Sequence, residues 1–220
     1  MALRHSLRTL RYAPKRAGNT GHRQLVLWRA RARSRRPGRG GRRFQADALE
    51  GPGALWDDAV DEIRALDYLA SRPEVDAQRL GVLGMSMGAT KAWWLAALDP
   101  RLKLCVDVCC LTDFEELIKA HSLKEHGIYY YVPGLLKHFQ TAQINELIVP
   151  RAHLSVNGRL DPLTPTAGVE EIRDYLLPLY RAHGNDRDLC VELYDCAHVE
   201  LPAMRKLILE WMDRYLQTGS

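Results

Sequence analysis

Residues 79–88 read RLGVLGMSMG, and the reading of this stretch decides the fold. Its first seven residues form a short apolar run bounded by glycine, the pattern of a strand buried on both faces. Residues 89–98 then read as a helix, stopped by Asp99-Pro100. Between them lies Gly84-Met85-Ser86-Met87-Gly88, a G-x-S-x-G. A strand that turns straight into a helix brings its two arms very close. Gly84 and Gly88 remove the side chains that would collide, and the serine between them takes a strained backbone conformation. Its hydroxyl is thereby lifted to the sheet edge, at a helix N-terminus that favours developing negative charge. A glycine-rich turn with an incidental serine is the bland reading, and the flanking strand and helix argue against it.

Working outward, the pattern stays regular from about residue 55. Residues 55–70 carry a helical apolar stripe with acidic residues near its start, closed by Pro73. Residues 102–110 (LKLCVDVCC), 152–156 (AHLSV) and 189–194 read as strands. Residues 165–183 and 201–216 read as helices, the first with proline in its first turn and Gly184 just past its end. Residues 113–149 form a mixed insertion. Strands alternating with helices predict an α/β fold, a mostly parallel sheet covered by helices. Right-handed crossovers put the strand C-termini on one edge, where sites gather.

A serine hydroxyl is a weak nucleophile and needs a base, which needs an orienting carboxylate. Two loops leaving strand C-termini supply them. Asn157-Gly158-Arg159-Leu160-Asp161-Pro162 follows one strand and Asp195-Cys196-Ala197-His198 another. The order Ser86, Asp161, His198 is that of a nucleophile elbow with its acid and base. Asp113 is the rival acid. Asp195 lies too near His198 along the chain to orient it well. The backbone N–H of Met87 is the expected oxyanion donor. Tyr130 and Tyr131, in the insertion, are weaker candidates for lining a substrate pocket, with packing of the insertion as the alternative.

The chain has 220 residues, 46% hydrophobic and 26% charged, with a formal charge of +4. That charge averages two unlike parts. Residues 1–46 hold 13 Arg, one Lys and no acidic residue, and the remainder carries −10. The Arg-rich segment reads as disordered, apart from a strand-like run at residues 24–28 (QLVLW). The acidic body gives no electrostatic case for a nucleic-acid partner, except through the Arg-rich segment. No run approaches the roughly 18–20 apolar residues of a membrane helix. The first ten residues lack a secretory apolar stretch, and five cysteines without a C-x-x-C pair fit reduced thiols, so the expected location is cytoplasmic. No metal or cofactor motif is visible: there is no P-loop, no G-x-G-x-x-G and no H-E-x-x-H.

Together these residues resemble an α/β-hydrolase. More narrowly they are similar to the dienelactone-hydrolase-like and acetyl-xylan-esterase-like group, related to prolyl-oligopeptidase catalytic domains. The resemblance runs from about residue 44 to 216. It rests on DEIRALDYLASRPEVDAQRLGVLGMSMG (61–88), VNGRLDPLTP (156–165) and CAHVE (196–200). It implies Ser86 as nucleophile, Asp161 as acid and His198 as base. Dienelactone hydrolases proper use cysteine at the elbow, so the serine points to the esterase or peptidase branches. Members of the group carry several strands before the elbow, and only 85 residues precede Ser86 here. The expected protein is therefore an α/β-hydrolase domain over residues 47–220, with its N-terminal strands largely missing.

The resemblance implies a serine hydrolase acting on small or sugar acyl esters through an acyl-enzyme on Ser86. Two other readings stay open: a catalytically weak α/β-hydrolase-like binding protein, and a serine peptidase of prolyl-oligopeptidase type. Whether the chain forms a homo-oligomer is left open too.

Overall fold

The computed structural model describes residues 27–29, 54–127 and 130–217, with side chains from residue 59 onward in the main body. The strands are β1 (Leu27–Arg29), β2 (Leu80–Met85), β3 (Leu102–Val108), β4 (Ala152–Gly158) and β5 (Leu189–Tyr194). The α-helices are α1 (Ala54–Ala70), α2 (Met87–Leu98), α3 (Phe114–Lys119), α4 (Thr141–Glu146), α5 (Thr166–Ala182) and α6 (Pro202–Leu216). The strands form one sheet in the order β1-β2-β3-β4-β5, every neighbouring pair parallel. The predicted α/β fold with a parallel sheet is thus the observed one.

Alternation along β3 and β4 sends side chains to two different cores. Leu104, Val106, Val108, Leu154 and Val156 pack with Met204, Ile208, Trp211 and Leu216 of α6 on one face. On the other face, Leu80, Val82 and Cys105 belong to a core with Leu66 of α1, Trp93 of α2, Ile144 of α4 and Val169, Ile172 and Tyr180 of α5. The long helices form because their apolar residues recur at helical spacing, so each buries one stripe. Pro178 stands inside α5 without ending it.

Strands 79–85, 102–110, 152–156 and 189–194 are found within a few residues of their predicted bounds. The strand-like run at 24–28 overlaps β1, which pairs Leu27–Arg29 with Gly81–Leu83. Three residues of the Arg-rich segment therefore lie in the sheet. The rest of residues 1–46 falls outside the described residues, and so does the expectation of disorder made for it. Tyr129 lies outside them as well. No described helix is long and apolar enough to cross a membrane.

The parallel register fixes the working edge. Met85 lies opposite Val108, Val108 opposite Val156, and Val156 opposite Glu192. The segments leaving these strands, which carry Ser86, Cys109, Asp161 and His198, all start from one edge of the sheet.

Candidate active site

Ser86 sits at φ 58° and ψ −126°, between the end of β2 and the start of α2. A left-handed φ is costly for a residue with a Cβ, and such strain concentrates at functional sites. The sequence explains how the chain tolerates it. A Cβ on Gly84 would lie 1.8 Å from the Gly88 carbonyl oxygen, so only glycine permits this approach. The Ser86 N–H donates to the Val108 carbonyl at 2.8 Å, and its own carbonyl accepts from Ala89 and Thr90. The elbow is thus pinned to β3 and to its own helix. Met87 opens α2, and the first N–H groups of a helix have no acceptor within it. Of these, Ala89 and Thr90 donate to the Ser86 carbonyl, and the Met87 N–H stands first in the helix.

Asp161 and His198 are brought together. The His198 Nδ1 lies 2.6 Å from Asp161 Oδ2, and Asp161 Oδ1 accepts from the Leu163 N–H at 2.9 Å. The Asp161 side chain is fully buried, whereas that of His198 keeps 25% of its surface. Backbone bonds splice the two loops: Arg159 N–H to Tyr194 O at 2.8 Å and Leu160 N–H to Cys196 O at 3.0 Å. Gly158 makes the splice possible. A Cβ there would stand 2.4 Å from Cys196 O and 2.5 Å from Ala197 O. Sequence reading did not single out Gly158, because its constraint comes from a loop nearly forty residues away.

Asp113, the rival acid, has another task. Its side chain accepts from the Glu116 N–H at 3.0 Å and caps α3. Asp195 forms a loose ion pair with Arg159, 3.5 Å apart, on the surface.

Tyr130 corrects an expectation. It is completely buried, packed against Phe114 and stacked on His126 at 4.4 Å between ring centres. It has no surface to offer a substrate and instead anchors the insertion in the core. Tyr131 packs beside that core and donates to the Leu123 carbonyl at 2.6 Å, which ties the insertion to itself. His126, in the insertion, lies within electrostatic reach of Asp161 and His198. Its Nε2 meets the Leu163 carbonyl at 2.8 Å. Burial lowers its pKa, which the Leu163 carbonyl and the Asp161 charge partly offset.

Two residue groups have metal-ligating chemistry. The outer one is Cys109, Asp161 and His198, with ligand atoms all within 4.8 Å of one another. Cys109 directly follows β3 at φ 57° and donates its S–H to Val199 O at 3.6 Å. Burial, reinforced by the Asp161 charge, pushes its thiol up to about 12. The inner group is Cys105, Asp107 and His153, all buried. There Asp107 Oδ2 meets His153 Nε2 at 2.7 Å and Oδ1 accepts from Ser155 at 2.5 Å. Asn157 continues the chain, donating to Ser155 Oγ at 2.9 Å and accepting from the Leu111 N–H at 3.3 Å. This network joins β3 to β4 just beneath the loops of the site.

The parallel sheet, its helices and the strained serine elbow define the class at the level of the fold: the chain has an α/β-hydrolase fold. The family model for acetyl xylan esterase matches residues 56–153, which include the elbow and end before Asp161. The YtaP protein of Bacillus subtilis (strain 168), classed by name as a hydrolase, is 44% identical over 156 residues, covering 71% of this chain and 52% of that protein. A glucuronoyl esterase structure from Sporotrichum thermophile superposes with a TM-score of 0.62 at 18% identity, covering 76% of this chain and 53% of the other. One from Solibacter usitatus gives 0.61 at 15%, covering 72% and 48%. The chain therefore spans about half the length of these relatives.

Proposed function

We propose that this chain is a serine hydrolase that cleaves carboxylic esters through an acyl-enzyme on Ser86. In this reading Ser86 Oγ attacks the ester carbonyl while His198 Nε2 takes its proton. Asp161 holds the imidazole through Nδ1 and stabilises the cation that forms. The Met87 N–H donates to the oxyanion. The alcohol leaves with the proton from His198, and water then hydrolyses the acyl-enzyme with His198 again as base.

The observation that carries the reading is the 2.6 Å contact between His198 Nδ1 and buried Asp161, on the sheet edge where Ser86 holds its strained φ of 58°. The likeness to acetyl xylan and glucuronoyl esterases supports small or sugar acyl esters as the substrate class. The insertion, with His126 facing the acid loop, is the surface that would meet the substrate's alcohol or acyl part.

The test is labelling of the full chain with a fluorophosphonate, mapped by mass spectrometry. The expected result is an adduct on Ser86 that disappears in His198→Ala. A folded, monodisperse protein that takes no label would replace this reading with that of an α/β-hydrolase-like binding protein.

A further inference from the structure

We propose that Cys109, Asp161 and His198 form an inhibitory site for a borderline-soft divalent cation of the zinc class. The proposal rests on the assignment of Asp161 and His198 as acid and base, and it adds a means of shutting them off.

The donor set is a thiol, a carboxylate and an imidazole, the ligand types that zinc combines. They arrive from three separate strand ends, and their ligand atoms already lie within 4.8 Å of one another. Tetrahedral zinc spaces its ligands about 3.3–3.6 Å apart. A small inward shift of the thiol and a slight opening of the Asp161–His198 pair would therefore reach that geometry. Cys109 holds a left-handed φ of 57° at the end of β3, a strained position for a residue with a Cβ. Its S–H donates to the Val199 carbonyl at 3.6 Å, a weak hydrogen bond that the thiol would give up on binding a cation.

Access separates this cluster from the inner one. Cys105, Asp107 and His153 are all sealed in the sheet, with no ligand at its surface. At the outer cluster His198 is partly exposed and the adjoining Val199 keeps 45% of its surface. Cys109 and Asp161 are themselves buried, so a cation would reach them from the side on which His198 is exposed, where a water could complete its coordination.

Binding has a defined chemical consequence. Cys109 loses its S–H proton to solvent and coordinates as thiolate. When the metal takes Nδ1 of His198, the imidazole proton moves to Nε2. That is the nitrogen that must be bare to accept the serine proton. Asp161 simultaneously exchanges its hydrogen bond for a metal bond. One proton is released per cation, and the base is disabled without any damage to the elbow.

The experiment uses the full chain after chelator treatment, with Co²⁺ as the spectroscopic probe and Zn²⁺ as the inhibitor. Wild type is expected to give a thiolate-to-cobalt charge-transfer band in the near ultraviolet, abolished by excess Zn²⁺. Cys109→Ser should lose the band, and Zn²⁺ inhibition of p-nitrophenyl acetate turnover should weaken by about tenfold or more, with turnover restored by chelator in wild type. Cys109→Ala serves in its place if the serine variant loses its native circular dichroism. Absence of the band in wild type, or its survival in both variants, overturns the proposal. The band in a protein without esterase turnover supports the metal site and sinks the esterase reading. Turnover without the band does the reverse.

Discussion

Ser86 combines a strained backbone with a proposed chemical task, and the two separate on substitution. Ser86→Ala keeps the Cβ and hence the strain. It should remove ester turnover by about 10⁴-fold or more with little change in Tm. Ser86→Gly also removes the hydroxyl but relieves the φ of 58°, and thermal unfolding should show it more stable by about 1 kcal/mol. Equal stability of the two variants would mean that the elbow stores no strain. At Gly158 the constraint comes from elsewhere in the chain. Gly158→Ala drives a Cβ into the Cys196 and Ala197 carbonyls and must push the His198 loop away. Its kcat should fall by about 10²-fold, the cost of roughly 1 Å of misplacement. Wild-type kinetics in this variant would show that the spacing of the two loops is not critical.

Among the elements, one side chain does much of the joining. Arg151, just before β4, donates to four backbone carbonyls: Ala96 at 2.7 Å, Leu147 at 2.8 Å, Leu102 at 3.0 Å and Asp99 at 3.1 Å. It thereby clamps the ends of α2 and α4 to the start of β3. Burial lowers its pKa, yet the guanidinium remains charged far above neutral pH. Arg151→Met leaves those carbonyls without their donor and should cost about 2–4 kcal/mol in urea unfolding. Arg151→Lys should recover little, because an ammonium cannot span the same fork. The network of Asp107, His153, Ser155 and Asn157 plays a similar part between β3 and β4. Neither feature was legible in the sequence. LKLCVDVCC and AHLSV read as apolar strands, and the polar residues within them acquire meaning only when the two strands pair in register.

For the molecule as a whole, acid sensitivity can be traced to identifiable groups. Burial pushes the Asp99 carboxyl up, but hydrogen bonds from the Arg101 side chain and N–H bring it below the ordinary carboxylate range. Arg101 also reaches Asp67 of α1 at 2.7 Å. Because the folded pKa is depressed, the unfolded chain binds the proton first. The contribution is fully present above the unfolded value of about 3.9 and is lost as pH falls through the lower folded value. Asp99→Asn should therefore be less stable than wild type near neutrality, and the gap should close as the pH is lowered below about 4. Urea midpoints at several pH values check this. A gap that stays constant would assign the effect of Asp99 to packing rather than charge.

The elbow was legible because its constraint is local. Gly84, Ser86 and Gly88 lie within five residues, and steric crowding between them does not depend on the rest of the fold. The four long helices and four of the strands were legible for the same reason, since the periodicity of burial is written along each segment, whereas α3 and α4 lay inside the mixed insertion. Asp161 and His198 could be proposed from their loops and their order, with Asp113 as a rival; in the structure Asp161 meets His198 and Asp113 caps α3. What only the tertiary structure decided are the relations across the sheet. Tyr130 became core because the insertion folds inward over Phe114. Gly158 became indispensable because a distant loop passes over it. Cys109, one of several cysteines in an apolar run, came to stand beside Asp161 and His198 because parallel register brings three strand ends to one edge. Local sterics are encoded residue by residue, whereas the meeting of distant residues depends on how the strands pair.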